Sequence, residues 1–274
     1  GDQVAHSVPE LTNITGSELS ATPISVAFNS ACALLDNGSV SCWGDNQWGQ
    51  VGDNSTIDKL SPTYTFPFAD GKKAVAITSG RAHHCALLDD GTVSCWGLNQ
   101  NGQLGDNSTT LSSVPTPTQP LGGQAIAISS NVDHTCAILD TGALVCWGKN
   151  DEGQVGTGSN SPDKILVPTL VNQSNWPSSR SAVAVGTGDD HTCAILDNNS
   201  VYCWGRNNAG QLGRETAGLD NEHASGSDFE SLPTKIFGDN LTKLAIESHG
   251  DHSCVLIENG SIYCWGRQSH GQIG

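Results

Sequence analysis

The sequence predicts an all-β chain in which one small antiparallel sheet is built five times. Three observations predict it. The phrase Cys-Ala-Leu-Leu-Asp-Asn-Gly-Ser-Val-Ser-Cys-Trp-Gly at 32–44 returns in close variants beginning at Cys85, Cys136, Cys193 and Cys254. Within the phrase, a turn such as Asp89-Asp90-Gly91 separates two β-rich runs, the pattern of a hairpin. Each copy is followed by Gly-Gln-x-Gly. A period of roughly 50 to 60 residues means one supersecondary unit that buries its faces against its neighbours.

Taken in order, each unit opens on a Pro-containing strand: Val8-Pro9, Pro62, Val114-Pro115, Val167-Pro168 and Leu232-Pro233. Proline donates no ladder bond, which suits an outermost strand. In the second unit, Ala74-Val75-Ala76-Ile77 then alternates small and large, as a buried inner strand would, and Gly80 ends it. The hairpin follows over 84–96, with equivalent turns at Asp36-Asn37-Gly38 and Glu258-Asn259-Gly260. The units run approximately over 7–52, 60–105, 112–156, 165–213 and 231–274, forming one domain, 1–274.

All ten cysteines fall in the hairpins, two per unit and always ten positions apart. No C-x2-C pair suggests zinc. With the turn midway, the two thiols of a hairpin face each other across adjacent strands, best at a non-hydrogen-bonded pair. The expected disulfides are Cys32–Cys42, Cys85–Cys95, Cys136–Cys146, Cys193–Cys203 and Cys254–Cys264. They place the protein in an oxidising compartment. Successive strand residues point to opposite faces. Trp43, Trp96, Trp147, Trp204 and Trp265 therefore lie on the face away from the bridge, and both faces need burial by neighbouring sheets. Gly-Gln-x-Gly is no phosphate loop, since neither Lys-Ser nor Lys-Thr nor a long helix follows it. Its Gln is expected to bond backbone groups between sheets.

At this point the repeat, His-x-Cys-Ala-Leu-Leu-Asp-x-Gly-x-Val-x-Cys-Trp-Gly-x-Asn-x-x-Gly-Gln-Leu-Gly, resembles that of the regulator of chromosome condensation (RCC1-type) β-propellers. The resemblance covers all five units and implies four-stranded blades around an axis. The family's usual count is seven blades, and the paired cysteines are a departure expected of extracellular members. The chain stops at Ile273-Gly274, where the outer strand of the last blade is due. The expectation is that residues 7–11 supply that strand and close the ring, hiding an open edge; the rival is a fragment of a larger propeller. The chain begins at Gly1 and holds no methionine, as expected of a processed chain or a segment of a longer one.

Charge and motifs narrow the function. The formal net charge is −16, which repels nucleic acid and anionic membrane surfaces. No apolar run is long enough to span a membrane, and no signal peptide is visible. His83, His134, His191 and His252 stand two residues before the first Cys of their units, with Ser30 in that place in the first. Asp133, Asp190 and Asp251 precede three of them. The resemblance implies structural histidines near the hub; neither a metal site nor a cofactor is expected. No nucleophile elbow, HExxH, Walker motif or dinucleotide fingerprint occurs. Sequons at Asn13, Asn37, Asn54, Asn107, Asn172, Asn198, Asn240 and Asn259 are expected glycosylation sites of a secreted protein, with Asn54 and Asn107 foremost. Trp48, Trp176, Tyr64, Phe66, Phe68, Phe229 and Phe237 are candidate anchors for a protein partner. The expected function is a non-catalytic extracellular or cell-surface module, structural, adhesive or for assembly, binding a protein partner or copies of itself, with glycans a further class of partner. A secreted inhibitor is the alternative, and a glycan-acting enzyme the third.

Overall fold

The computed structural model describes residues 20–213, 229–237 and 242–274. The first blade contains β1 (Ala21–Val26), β2 (Ser30–Leu35), β3 (Val40–Gly44) and β4 (Lys59–Tyr64). The second contains β5 (Ala74–Ser79), β6 (His83–Leu88), β7 (Val93–Gly97) and β8 (Ser112–Pro117). The third contains β9 (Ala125–Asn131), β10 (His134–Leu139), β11 (Leu144–Lys149) and β12 (Lys164–Leu170). The fourth contains β13 (Ala182–Thr187), β14 (His191–Leu196), β15 (Val201–Arg206) and β16 (Phe229–Phe237). The fifth has three described strands, β17 (Lys243–His249), β18 (His252–Ile257) and β19 (Ile262–Gly266). Each is an antiparallel sheet with its strands in chain order. The chain is thus all-β, a row of propeller blades. Residues 7–11, the expected closing strand, lie outside the described residues, and β19 pairs only with β18 among the described strands.

The first strands of successive blades, β1, β5, β9, β13 and β17, touch one another, so they form the hub. The Pro-containing strands sit at the opposite edge, in β4, β8, β12 and β16, each the outer strand of the blade before it. The inner strand is less buried than its alternation predicts. Val75 is 54% exposed, and Ile126, Val183 and Leu244 at the matching positions are exposed too. A register shift between Ala74 and Ala76 explains it, with counterparts in the other three strands. The bulge leaves one residue unpaired and turns it outward.

The core lies between blades. The Cys32–Cys42 bridge, Val40 and Val51 of the first blade are buried against Ala86, Leu88 and Trp96 of the second. The same arrangement joins second to third, third to fourth and fourth to fifth. As expected, bridge and indole occupy opposite faces, and each blade's bridge meets the next blade's indole. Among the described residues, nothing covers the fifth blade's far face. Leu144 of β11 is 0% exposed, whereas the matching Ile262 of β19 is 66% exposed. A Cβ on Gly52, Gly105, Gly156 or Gly213 would strike the next blade's Trp, whereas one on Gly274 would meet no atom of the described residues within 4 Å. Among the described residues, no helix is long and apolar enough to cross a membrane.

Candidate functional site: the inter-blade seams and the hub mouth

The expected disulfides are all present, and no described cysteine is free. Each joins directly opposed residues, Cys32 to Cys42 for instance, with Cα atoms 4.1 Å apart. That is the close spacing of a non-hydrogen-bonded pair.

A polar latch crosses each seam. The His two residues before the first Cys reaches the hydroxyl one residue before the first Cys of the next blade. His83 Nε2 lies 3.1 Å from Thr135 Oγ1, His134 Nε2 2.9 Å from Thr192 Oγ1, and His191 Nε2 2.7 Å from Ser253 Oγ. Between the first two blades the roles reverse, with Ser30 Oγ 3.0 Å from His84 Nε2. Thr192 Oγ1 also donates to the Gln154 carbonyl at 2.9 Å. A hydroxyl has one proton, so Thr192 accepts from His134, whose neutral ring carries its proton on Nε2. The unpartnered Nδ1 atoms of His134 and His191 fit the same neutral state.

Burial imposes that state. It pushes the pKa of His83, His84 and His191 from 6.5 down to about 3, and that of His134 to about 4. These residues are sealed between blades. They bond side-chain hydroxyls across the seam, His83, His134 and His191 reaching the next blade and His84 the preceding one. His252 is half-buried in the last blade. Among the described residues, no group of three or more His, Cys, Asp or Glu is placed to hold a metal ion.

The recurring Gln also works across the seam. The carbonyls of Gln50, Gln103, Gln154 and Gln211 accept the indole N–H of Trp96, Trp147, Trp204 and Trp265, each at 2.9 Å. The side-chain amides of Gln103, Gln154 and Gln211 donate to Asp133, Asp190 and Asp251 of the following blade. The three acidic residues therefore serve the seam. Burial raises the Asp133 pKa. At Asp190 burial also pushes upward, but the hydrogen bond and charge of Lys149, 2.9 Å away, outweigh it and hold the pKa below the usual value. Sequence reasoning assigned no role to the Asn of Trp-Gly-x-Asn. Asn46, Asn99, Asn150 and Asn207 accept, through Oδ1, the backbone N–H of Val51, Leu104, Val155 and Leu212. They brace each Gly-Gln-x-Gly loop, and their recurrence at one spacing was the available signal.

The sequons divide by geometry. Asn37, Asn172, Asn198 and Asn259 each accept the N–H of the residue two ahead, building an Asx turn. Asn54 and Asn107 are exposed, with φ of 66° and 68°, leaving their side chains outward on polar loops. Asn13 and Asn240 lie outside the described residues.

The candidate anchors also divide. Phe68 and Trp176 are core residues, Phe68 meeting Trp96 edge-on. Phe229 is half-buried, and nothing is described of the Phe237 side chain. Trp48, Tyr64 and Phe66 are exposed. Phe28, which the sequence reading passed over, is 73% exposed at the hub, with the Arg81 guanidinium 5.8 Å above its ring.

At the hub mouth, residues of all five blades line a cavity of about 580 Å³. Its wall is dominated by hydroxyls, with Asn131, Arg81, Glu247 and His249 among the other polar groups.

A family model described as the RCC1-like domain matches residues 2–274. The chain belongs to this family. The ultraviolet-B receptor UVR8 of Arabidopsis thaliana is 29% identical over 244 residues, 88% of this chain and 52% of the receptor. A secretion-regulating guanine nucleotide exchange factor of Mus musculus is 30% identical over 233 residues, 84% of this chain and 48% of that protein. The chain thus spans about half the length of the curated relatives it matches. Yeast RCC1 (Prp20), solved bound to Kap60, superposes with a TM-score of 0.75 at 24% identity, covering 90% of this chain and 56% of that one. That likeness shows the shared fold.

Proposed function

We propose that this protein is a non-catalytic, protein-binding propeller acting outside the cell, as a structural, adhesive or assembly module of a surface protein or extracellular fibre. The observation that carries the compartment is the set of five hairpin disulfides with no free cysteine among the described residues, a state that persists in oxidising surroundings. Binding is supported by the family. Its relatives include a receptor and an exchange factor, and RCC1 was solved with a protein bound. The surface supports it too. Exposed apolar side chains gather on and beside the first blade's edge strand: Ile57, Leu60, Tyr64 and Phe66. Such clusters mark interaction sites, and aromatic anchors dominate their energetics. The net charge of −16 favours a partner with a basic surface and disfavours nucleic acid.

The second reading is a secreted inhibitor gripping one partner through the same aromatics. A glycan-acting enzyme has less support, because among the described residues the hub-mouth lining contains one carboxylate, Glu247, and glycoside hydrolysis ordinarily uses two.

Sedimentation of the purified chain over a wide concentration range tests the assembly reading. The expected result is association that weakens in the double variant Tyr64→Ser, Phe66→Ser. A chain that stays monomeric throughout points to the inhibitor reading. Native-source protein that is found inside the cell, with thiols that alkylate without reduction, would overturn the extracellular assignment.

A further inference from the structure

The hub mouth carries chemistry that blade packing does not use. Each blade contributes a hydroxyl to its wall: Ser25, Thr78, Ser129, Thr187 and Ser248. Several bond to neighbours. Ser129 Oγ lies 2.9 Å from Thr187 Oγ1, Ser248 Oγ lies 2.7 Å from Ser253 Oγ, and Thr78 Oγ1 accepts the Ser130 N–H at 2.9 Å. A hydroxyl offers one donor and two acceptor positions, so each retains capacity toward the cavity. Arg81 and Glu247 add a planar donor and a planar acceptor to the same lining.

The rim supplies an aromatic platform. Phe28 is 73% exposed, and the Arg81 guanidinium lies over its ring only as near as 5.8 Å from the centroid, so most of the ring stays open with a planar donor beside it. The rim includes a strained backbone position held by its surroundings. Val132, β-branched, has φ of 32°, and its carbonyl accepts the Arg81 N–H at 2.9 Å. Strained positions persist where the surroundings over-determine them, commonly at ligand clamps. A side chain on Gly80 would bring its Cβ within 2.1 Å of the His83 ring, so the residue beside Arg81 has no room to vary.

These features select a ligand class. The lining is too polar for a long apolar ligand. Glu247 and the overall charge of −16 disfavour an anion. The cavity falls within the usual ~300–1,000 Å³ range for small-molecule sites. A ligand with one apolar face and a hydroxylated edge matches both the platform and the wall. We propose that the hub mouth binds a neutral pyranose sugar, its C–H face on Phe28 and its hydroxyls on Arg81, Glu247 and the hydroxyls of the wall. This goes beyond the protein-partner reading and does not depend on it.

Calorimetric titration of the full chain with the methyl pyranosides of glucose, galactose, mannose and N-acetylglucosamine tests it. At least one is expected to bind with Kd of about 1 mM. Phe28→Ala and Arg81→Ala should each weaken that binding about tenfold or more while leaving the melting temperature unchanged, since both side chains are exposed. If Arg81→Ala lowers the melting temperature, Glu247→Gln, on the fifth blade's part of the lining, serves as the second probe, with the same loss expected. Failure of all four glycosides to bind overturns the proposal. So does binding that Phe28→Ala leaves intact. Tighter binding of glucuronic acid than of glucose overturns the neutral assignment.

Discussion

Lowering the pH from 7 towards 4 should unfold this protein by charging the histidines sealed in its seams. Burial holds His83, His84 and His191 at about 3 and His134 at about 4, against 6.5 for an exposed imidazole. Between those values only the unfolded chain takes up the protons. Stability is therefore full above about pH 6.5 and falls as pH drops through the window below it. Each histidine removes up to about 1.4 kcal/mol per pH unit there, and the four together roughly 5 kcal/mol per unit. Set against a total stability of roughly 5–15 kcal/mol, the transition at room temperature falls near pH 5. Carboxylates act in both senses lower in the window: Asp190, held below its usual pKa, loses stability as pH falls, and Glu152, raised by burial, gains it. Asp190 and Lys149 act on His134 in opposite directions. Asp133 and Asp189, raised by burial, work in the stabilising sense as pH falls, but only near the carboxylate range. The assay is urea unfolding followed by tryptophan fluorescence, with disulfides intact, at pH values from 8 to 4. His134→Gln supplies an amide that cannot be charged but can still donate to Thr192. It should flatten the pH slope by about 1.4 kcal/mol per unit, whatever it costs at neutral pH. A stability constant from pH 7 to 5, or a slope identical in wild type and variant, would refute the reasoning.

Four further outcomes follow from the seams and surfaces. Gly105→Ala, at φ of 67° and with its Cβ 2.8 Å from Trp147 Nε1, should cost about 2 kcal/mol or more in chemical denaturation. Leu144→Asp, between the third and fourth blades, should cost about 4 kcal/mol or more, whereas Ile262→Asp at the matching position should stay within about 0.5 kcal/mol. A large loss at Ile262 would show that this face is covered in solution. Non-reducing peptide mapping should recover only bridges between cysteines ten positions apart, and a bridge between blades would contradict the fold. Protein from its native source should carry glycans at Asn54 or Asn107 before any Asx-turn sequon, and an intact mass equal to that of the bare chain would exclude them.

Much of the fold was legible because it is local. The separation of Cys32 from Cys42 and the turn midway between them determine which strand residues oppose one another. Period-two alternation then places Trp43 on the other face with no knowledge of the rest of the chain. Proline in β4, β8 and β12 marked the outer edge for a similarly local reason, the missing donor. The inner strand misled, because a bulge cannot be read from Ala74-Val75-Ala76: the same letters suit a regular strand.

The seams were half legible. The repeating His was visible, but its partner was not, because Thr135 lies 52 residues beyond His83. The signal was present in the hydroxyl or imidazole that stands just before the first Cys of the second to fifth units, His84, Thr135, Thr192 and Ser253. Recognising it as a latch required knowing how far one blade rotates relative to the next. The hub mouth was not legible at all. Ser25, Thr78 and Ser129 stand seven residues before the first Cys of their units, and Thr187 and Ser248 six, but they meet only because the inner strands converge, and Phe28 looks like any loop aromatic until the hub leaves it uncovered. By itself the sequence determined the blade: its hairpin, its bridge and the face its indole occupies, all set by bonds and alternation within some thirteen residues of each repeat. Only the tertiary structure decided what blades do to one another, burying four histidines neutral and gathering hydroxyls at an axis, because those environments come from packing between segments that the chain holds far apart.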